Sequence, residues 1–448
     1  MRPVLLANGL IFNEGSRFVG SLLISDGRIA EIHNGRLDPS VIDTDNYTVY
    51  DCQGKMILPG VIDEHVHFRD PGLTEKGDML TESRAAVAGG VTSFFDMPNT
   101  SPQTTTEEAW EEKMARAAEV SAANYAFFMG VTNENTDLLL RMDPTRVPGA
   151  KLFLGSSTGQ MLVDSNTALH RLFSSYKGVI AVHAESESVI RANTLRLKKQ
   201  YGGDIPLALH SELRSRQACV EATRRAVELA RQTGARLHVM HLTTADELEF
   251  FSPGDVSMKK ITAETCPHYL IFTSESVERS GGLTKCNPAI KSAEDRHALL
   301  RAVADGRIDS VATDHAPHLS AQKLGNALTA SSGMPSVQFS LPLMMQLAKE
   351  GHFSYDTVVE RMCAAPARIF NVARRGFLRP NYWADIAVVN PDDDYEITRD
   401  MVISRCGWTP YEGRRLNFRV EQTWINGILA YDNGTFTEKQ TSLPVRFN

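Results

Sequence analysis

Two rhythms of apolar and polar residues divide the chain. Over residues 1 to about 58, beginning "MRPVLLANGLIFNEGSRFVGSLLISDGRIAEI", apolar and polar positions alternate between turn signals such as "SDGR". A period of two places one face of a strand on a core and the other in water, so short antiparallel strands are expected. The C-terminal stretches "WADIAVVNPDDDYEI" and "QTWINGILAYDNG" have the same character. The layout of "ANGLIFNEG" near residue 7 is echoed by "INGILAYDNG" near residue 425. The simplest reading is one β-module built from both ends of the chain, with the middle inserted.

The middle keeps a different beat. Short apolar runs, "KMILPGVIDEHVH", "VTSFFDMPN", "NYAFFMGV", "GAKLFLG", "GVIAVHAE", "ARLHVMHL", "KITAETCPHYL" and "SVATDHAPH", alternate with longer helical patterns. The helical patterns include "TTEEAWEEKMARAAEV", "ELRSRQACVEATRRAVELARQTG" and "AEDRHALLRAVADG", the last two closed by a glycine stop. Alternation of this kind gives a parallel sheet covered by helices. Eight candidate strands between about residues 56 and 318 predict an α/β protein with a (β/α)8 TIM barrel. A doubly wound open sheet is the alternative, although no GxGxxG opens a helix.

Composition narrows the class. Hydrophobic content of 42% and charged content of 23% are those of an ordinary globular protein. A formal net charge of −7 gives no attraction to nucleic acid or to an anionic membrane surface. No run approaches the roughly 18 apolar residues of a membrane span, and the N-terminal stretch is too broken for a signal peptide. The six cysteines are scattered without a CxxC pair, which points to reduced thiols and a cytoplasmic protein.

The chemistry collects where the predicted strands end, which in a barrel is one mouth. "DEHVHFRDPG" places His65 and His67 on one face of the first strand, a wasteful pairing in a core but a natural one for a metal. His183 ends the fifth strand, His238 or His241 the sixth, and Asp314 the eighth; His268, His315 and His318 lie close by. Imidazoles and a carboxylate suit zinc or a similar divalent ion. Parity does not separate His238 from His241; His241 is chosen because it lies nearer the mouth. The other histidines, including His33, His170, His210, His297 and His352, read as ordinary structural or surface groups. Lys151, at the end of the fourth strand, reads by default as a lysine snorkelling to solvent. A buried lysine of lowered pKa offers an alternative, since with carbon dioxide it forms a carbamate, an anionic oxygen ligand. Asp314 is either a cap or a metal ligand that also moves a proton. Arg69, Asn99, Asn287 and His318 follow strand ends, where each taken singly reads as a turn residue; together they resemble a cradle for an anionic substrate, Arg69 having the planar fork that suits a carboxylate. "SAQKLGNALTASSG" is small and polar enough for a mobile loop.

"DEHVHFRDPG", "GGVTSFFDMPNT", "HAES", "HLTT", "AETCPHYL" and "TDHAPH" resemble the motifs of the amidohydrolase superfamily. Within it they are similar to the cyclic amidohydrolases, dihydroorotase above allantoinase and dihydropyrimidinase or hydantoinase. The resemblance runs from "LPGVID" to "WADIAVVNP". It implies a metal-bearing barrel over residues 59–368 and a small β-sandwich from residues 1–58 and 369–448. It implies one zinc held by His65, His67 and Asp314, a second by His183 and His241, and a bridge between them from carbamylated Lys151. Arg69, Asn99, Asn287 and His318 would hold the substrate. A hydroxide between the metals would attack the ring amide, with Asp314 as the proton shuttle. The implied reaction interconverts N-carbamoyl-L-aspartate and L-dihydroorotate in pyrimidine biosynthesis, with a homodimer as the expected assembly. Two features depart from the dihydroorotase pattern. Many long-chain bacterial dihydroorotases carry aspartate at the place of Lys151, and "SSGMPSVQFSLPL" stands where a glycine-rich stretch with a glutamate is commoner. A non-catalytic scaffold homologue is the rival from another class; such proteins lose metal ligands, whereas this chain keeps every candidate.

Overall fold

The computed structural model describes residues 2–38, 40, 43–155, 161–439 and 442–448. Each of the eight apolar runs forms a strand: Val61–Val66, Val91–Asp96, Asn124–Phe127 (resumed as Met129–Gly130), Gly149–Phe153, Val179–His183, Arg236–Val239, Ile261–Thr265 and Ser310–Val311. Neighbours pair in parallel throughout. A parallel bridge between Val66 and His315 joins the eighth strand to the first. The sheet therefore closes into a (β/α)8 barrel, and the open-sheet alternative is excluded. Strands buried on both faces explain why these runs are continuously apolar instead of alternating.

The helices start and stop where their chemistry directs. Asp78 and Thr81 form a capping box at the start of Met79–Ala88, and Ser292 and Asp295 form another at Ala293–Asp305. Gly234 and Gly306 adopt φ of 73° and 83° at the ends of Arg216–Thr233 and Ala293–Asp305, a conformation that costs glycine little. On the barrel floor Ile62, Phe95, Phe128, Phe370 and Phe447 form one buried cluster. Phe95 meets Phe370 and Phe447 edge-on, with ring centroids 5.4 and 5.6 Å away.

The two ends of the chain share a nine-stranded sheet. Its seam is the antiparallel pairing of Met56–Pro59 with Ile386–Asn390. The C-terminal segment does more than complete this sheet. Residues 395–416 leave it as a separate strand pair and loop that reaches the barrel, where Trp408 Nε1 donates to the His318 carbonyl at 2.7 Å. The final residues pack beneath the barrel, Val445 N–H donating to the Tyr125 carbonyl at 2.9 Å. Among the described residues, no helix is long and apolar enough to cross a membrane.

Candidate active site

The strand ends deliver the expected groups to one place, and three of them arrive on unusual backbone. Arg69, His241 and Asp314 have φ of 68°, 43° and 46°, in the left-handed region that side chains other than glycine rarely adopt. Each such residue costs of order 1–3 kcal/mol, a cost met mostly at functional sites. The turn after Arg69 is built for close approach: a Cβ on Gly72, itself at φ 83°, would lie 1.9 Å from the Ser101 carbonyl oxygen. That contact fixes the loop of "RDPG" against the loop that carries Asn99.

His65 Nε2 and His67 Nε2 lie 3.3 and 3.1 Å from Asp314 Oδ1. Their other nitrogens are engaged, His65 Nδ1 with Glu264 Oε1 at 2.8 Å and His67 Nδ1 with Asn99 Oδ1 at 2.7 Å. Both acceptors are oxygens, so each Nδ1 carries the proton and each Nε2 lone pair faces the site. His183 and His241 form a second group, with His183 Nδ1 2.8 Å from His241 Nε2. His183 Nε2 faces Glu185 Oε2 at 3.1 Å, and Glu185 is paired with Arg214. The His65 and His241 rings lie 5.3 Å apart, centroid to centroid, which joins the two groups.

Lys151 is fully buried, so it does not snorkel. Its Nζ lies 2.7 Å from Met240 Sδ, and burial lowers its pKa to about 8. An amine so desolvated is easily made neutral, the form that reacts with carbon dioxide. Burial also drives His67 down to about 4 against the opposing pull of Asp314, and it lowers His183 and His241. Neutral imidazole is the ligating form. Burial alone would raise the Asp314 carboxyl, but His65 and His67 outweigh it and hold it below the usual range. The donor set therefore fits a divalent metal: lone pairs converge from His65, His67 and Asp314, whose ligand atoms lie within 4.8 Å of one another. Glu64, His238 and Glu264 form a second buried group of the same span that is also able to hold a cation.

Beside these candidate ligands stands a polar, cationic wall. Arg69 is only 2% exposed; its Nη2 lies 3.1 Å from His318 Nε2, and its Nε donates to the Pro317 carbonyl at 3.2 Å. Burial, then the Arg69 charge, pushes His318 down to about 2, so the ring is neutral at working pH. Asn287 Oδ1 is buried without a hydrogen-bond partner among the described residues. Asn99, expected among the substrate groups, spends its oxygen on His67. The polar loop after the eighth strand is pinned by Lys323, whose Nζ donates to the carbonyls of Lys285, Ser331 and Gly333 at 2.9, 2.7 and 2.5 Å. His315 is structural: Nε2 lies 2.8 Å from Glu82 Oε2, and Nδ1 accepts from the Ser336 and Val337 amides. His238 Nδ1 is bonded to Thr262 Oγ1 at 2.8 Å, deeper than His241.

Neither residue type nor spacing marks Glu264 or Glu185, which lie within "AETCPHYL" and "HAES". Their signal was an acid within an apolar strand end, a position that is costly unless the carboxylate is paired.

A closed barrel with histidines and an aspartate converging at its mouth, next to a buried arginine, defines a hydrolase-type site whose donors are able to hold a metal ion. Residues 56–429 match the model of the amidohydrolase family, and the chain belongs to that family as a cyclic amidohydrolase. It is 36% identical to a dihydroorotase of Halobacterium salinarum over 428 residues, 94% of this chain and 97% of that protein. It is 31% identical to an allantoinase of Bacillus velezensis, over 96% of this chain and 94% of that one. An L-hydantoinase (dihydropyrimidinase) from Arthrobacter aurescens superposes with a TM-score of 0.92 at 27% identity, covering 100% of both chains.

Proposed function

We propose that the protein is a dihydroorotase, interconverting N-carbamoyl-L-aspartate and L-dihydroorotate plus water in pyrimidine biosynthesis. The observation that carries this reading is Arg69, a buried guanidinium beside the metal ligands with a neutral histidine as neighbour. Carbamoyl-aspartate and dihydroorotate bring a carboxylate to such a group, whereas allantoin and dihydrouracil do not. The dihydroorotase relative at 36% identity supports the same choice.

The cofactor in this reading is zinc, two ions. His65, His67 and Asp314 would hold one and His183 and His241 the other, with carbamylated Lys151 between them. Metal held there supplies Lewis-acid polarisation of the ring amide and lowers the pKa of water in the site. The protein supplies the rest. Arg69 takes the substrate carboxylate with its planar fork. His318 and Asn287 orient the ring, and Asn99 acts through His67 by fixing its tautomer. Asp314, ionised and aimed by its left-handed backbone, takes the proton from the attacking water and delivers it to the leaving ring nitrogen. In the cyclising direction it moves the proton the opposite way. All six cysteines are buried free thiols, which supports a reducing, cytoplasmic setting.

A second reading is hydantoin or allantoin hydrolysis. It is favoured by Lys151 in place of aspartate and by the L-hydantoinase similarity. Assays of carbamoyl-aspartate, dihydroorotate, allantoin, hydantoin and dihydrouracil side by side, with zinc measured on the same sample, separate the two. Turnover confined to the first pair, with zinc bound, is expected; preferred turnover of a ring lacking the carboxylate would replace this reading with the second.

A further inference from the structure

The seventh barrel strand contributes to neither the His65–His67–Asp314 group nor the His183–His241 pair, yet its Glu264 touches both of them. Its Oε1 accepts from His65 Nδ1–H at 2.8 Å and from the His241 backbone N–H at 3.1 Å. Its own carbonyl accepts from the Leu242 N–H at 2.8 Å. One residue thus grips the chain on both sides of His241, where φ is 43° and the backbone needs holding. His65 belongs to the first ligand group and His241 to the second. Glu185, the comparable carboxylate, reaches His183 alone and is paired with Arg214.

We infer that Glu264 is a positioning residue that couples the two metal sites, fixing the His65 ring in the first and the His241 backbone in the second. The inference rests on the two-site reading given above. The two grips differ in kind. The His65 ring gains basicity from an anionic partner, as metal-bound histidines do from a neighbouring carboxylate. The His241 amide needs only an acceptor oxygen at the right place. Charge and shape at residue 264 therefore act on different sites.

The test is cobalt(II) titration of metal-free protein in bicarbonate buffer, following visible absorption and bound equivalents. Wild type is expected to take up two equivalents. Glu264→Leu removes both grips and should weaken both equivalents, each about 10–100-fold. Glu264→Gln keeps an acceptor oxygen and should weaken one equivalent while sparing the other. Glu185→Gln should also weaken one, and its partner should be the equivalent that Glu264→Gln spares. Loss at one site only in Glu264→Leu, or unchanged binding in Glu264→Gln, overturns the coupling. Should the leucine variant not fold, the glutamine variant decides: weakening of a single equivalent, different from that of Glu185→Gln, supports the inference. A wild-type protein taking up one equivalent would overturn the two-site reading and the coupling with it, whereas two equivalents insensitive to Glu264 would overturn the coupling alone.

Discussion

The two ends of the barrel solve opposite problems with the same strands. The floor is aromatic and interlocked: Phe95, Phe128, Phe370 and Phe447 are buried together, and each buried side chain of that size contributes of order 1.5–3 kcal/mol. The mouth is crowded with lone pairs and held in backbone that costs energy, at Arg69, His241 and Asp314. The floor stabilises the fold, and the mouth draws on that stability to keep ligands aimed. Changes at the mouth should therefore lower activity with little loss of folding, and changes at the floor the reverse.

The largest expected effect is at the mouth. Asp314→Asn keeps the shape but removes the proposed proton carrier, and should lower kcat by about 10³-fold, within the usual range for a general acid–base group. Its midpoint of unfolding by urea should stay close to wild type; a large loss of stability would break the division between the two ends. At the floor, Phe95→Ala should cost about 3–5 kcal/mol in urea unfolding, since the rings around it have no room to collapse. The folded fraction should retain kcat near wild type, and an equal fall in kcat would blur the comparison.

The smallest effect concerns pH. Burial drives His268 to about 4, and both its ring nitrogens lack hydrogen-bond partners among the described residues. Below pH 6.5 the unfolded chain takes up a proton at this residue while the native protein does not until about pH 4. Stability contributed by the neutral ring is thus present above pH 6.5 and lost as pH falls through that window. The slope is about 1.4 kcal/mol per pH unit for one proton. His268→Leu should flatten the wild-type dependence by about that amount between pH 6 and 5; an unchanged slope would mean that the ring is not held neutral.

Much of the mouth's geometry is legible because its candidate ligands carry local signals. His65 and His67 share a strand face by parity, and Asp314 and His183 each end an apolar run. The sixth strand resisted the same reasoning. Alternation sets His238 and His241 on opposite faces, but the left-handed backbone at His241 breaks it, and both residues contact Glu264. Partnerships across the barrel left no local trace: Glu264 meets His65 from 199 residues away. Asn99 read as a substrate group because its loop follows a strand end, and only the fold brings its oxygen to His67. The C-terminal stretch read as sheet alone; Trp408 reaches the His318 carbonyl through a loop whose path no periodicity encodes.

The central claim, a carboxylate-bearing cyclic amide bound by Arg69, is tested most directly by Arg69→Met. Turnover of carbamoyl-aspartate is compared with that of wild type, with zinc measured in both. Removing one partner of a buried charged contact costs about 2–5 kcal/mol, so kcat/KM should fall at least about 30-fold with zinc content unchanged. Undiminished turnover of carbamoyl-aspartate by the variant would contradict the assignment.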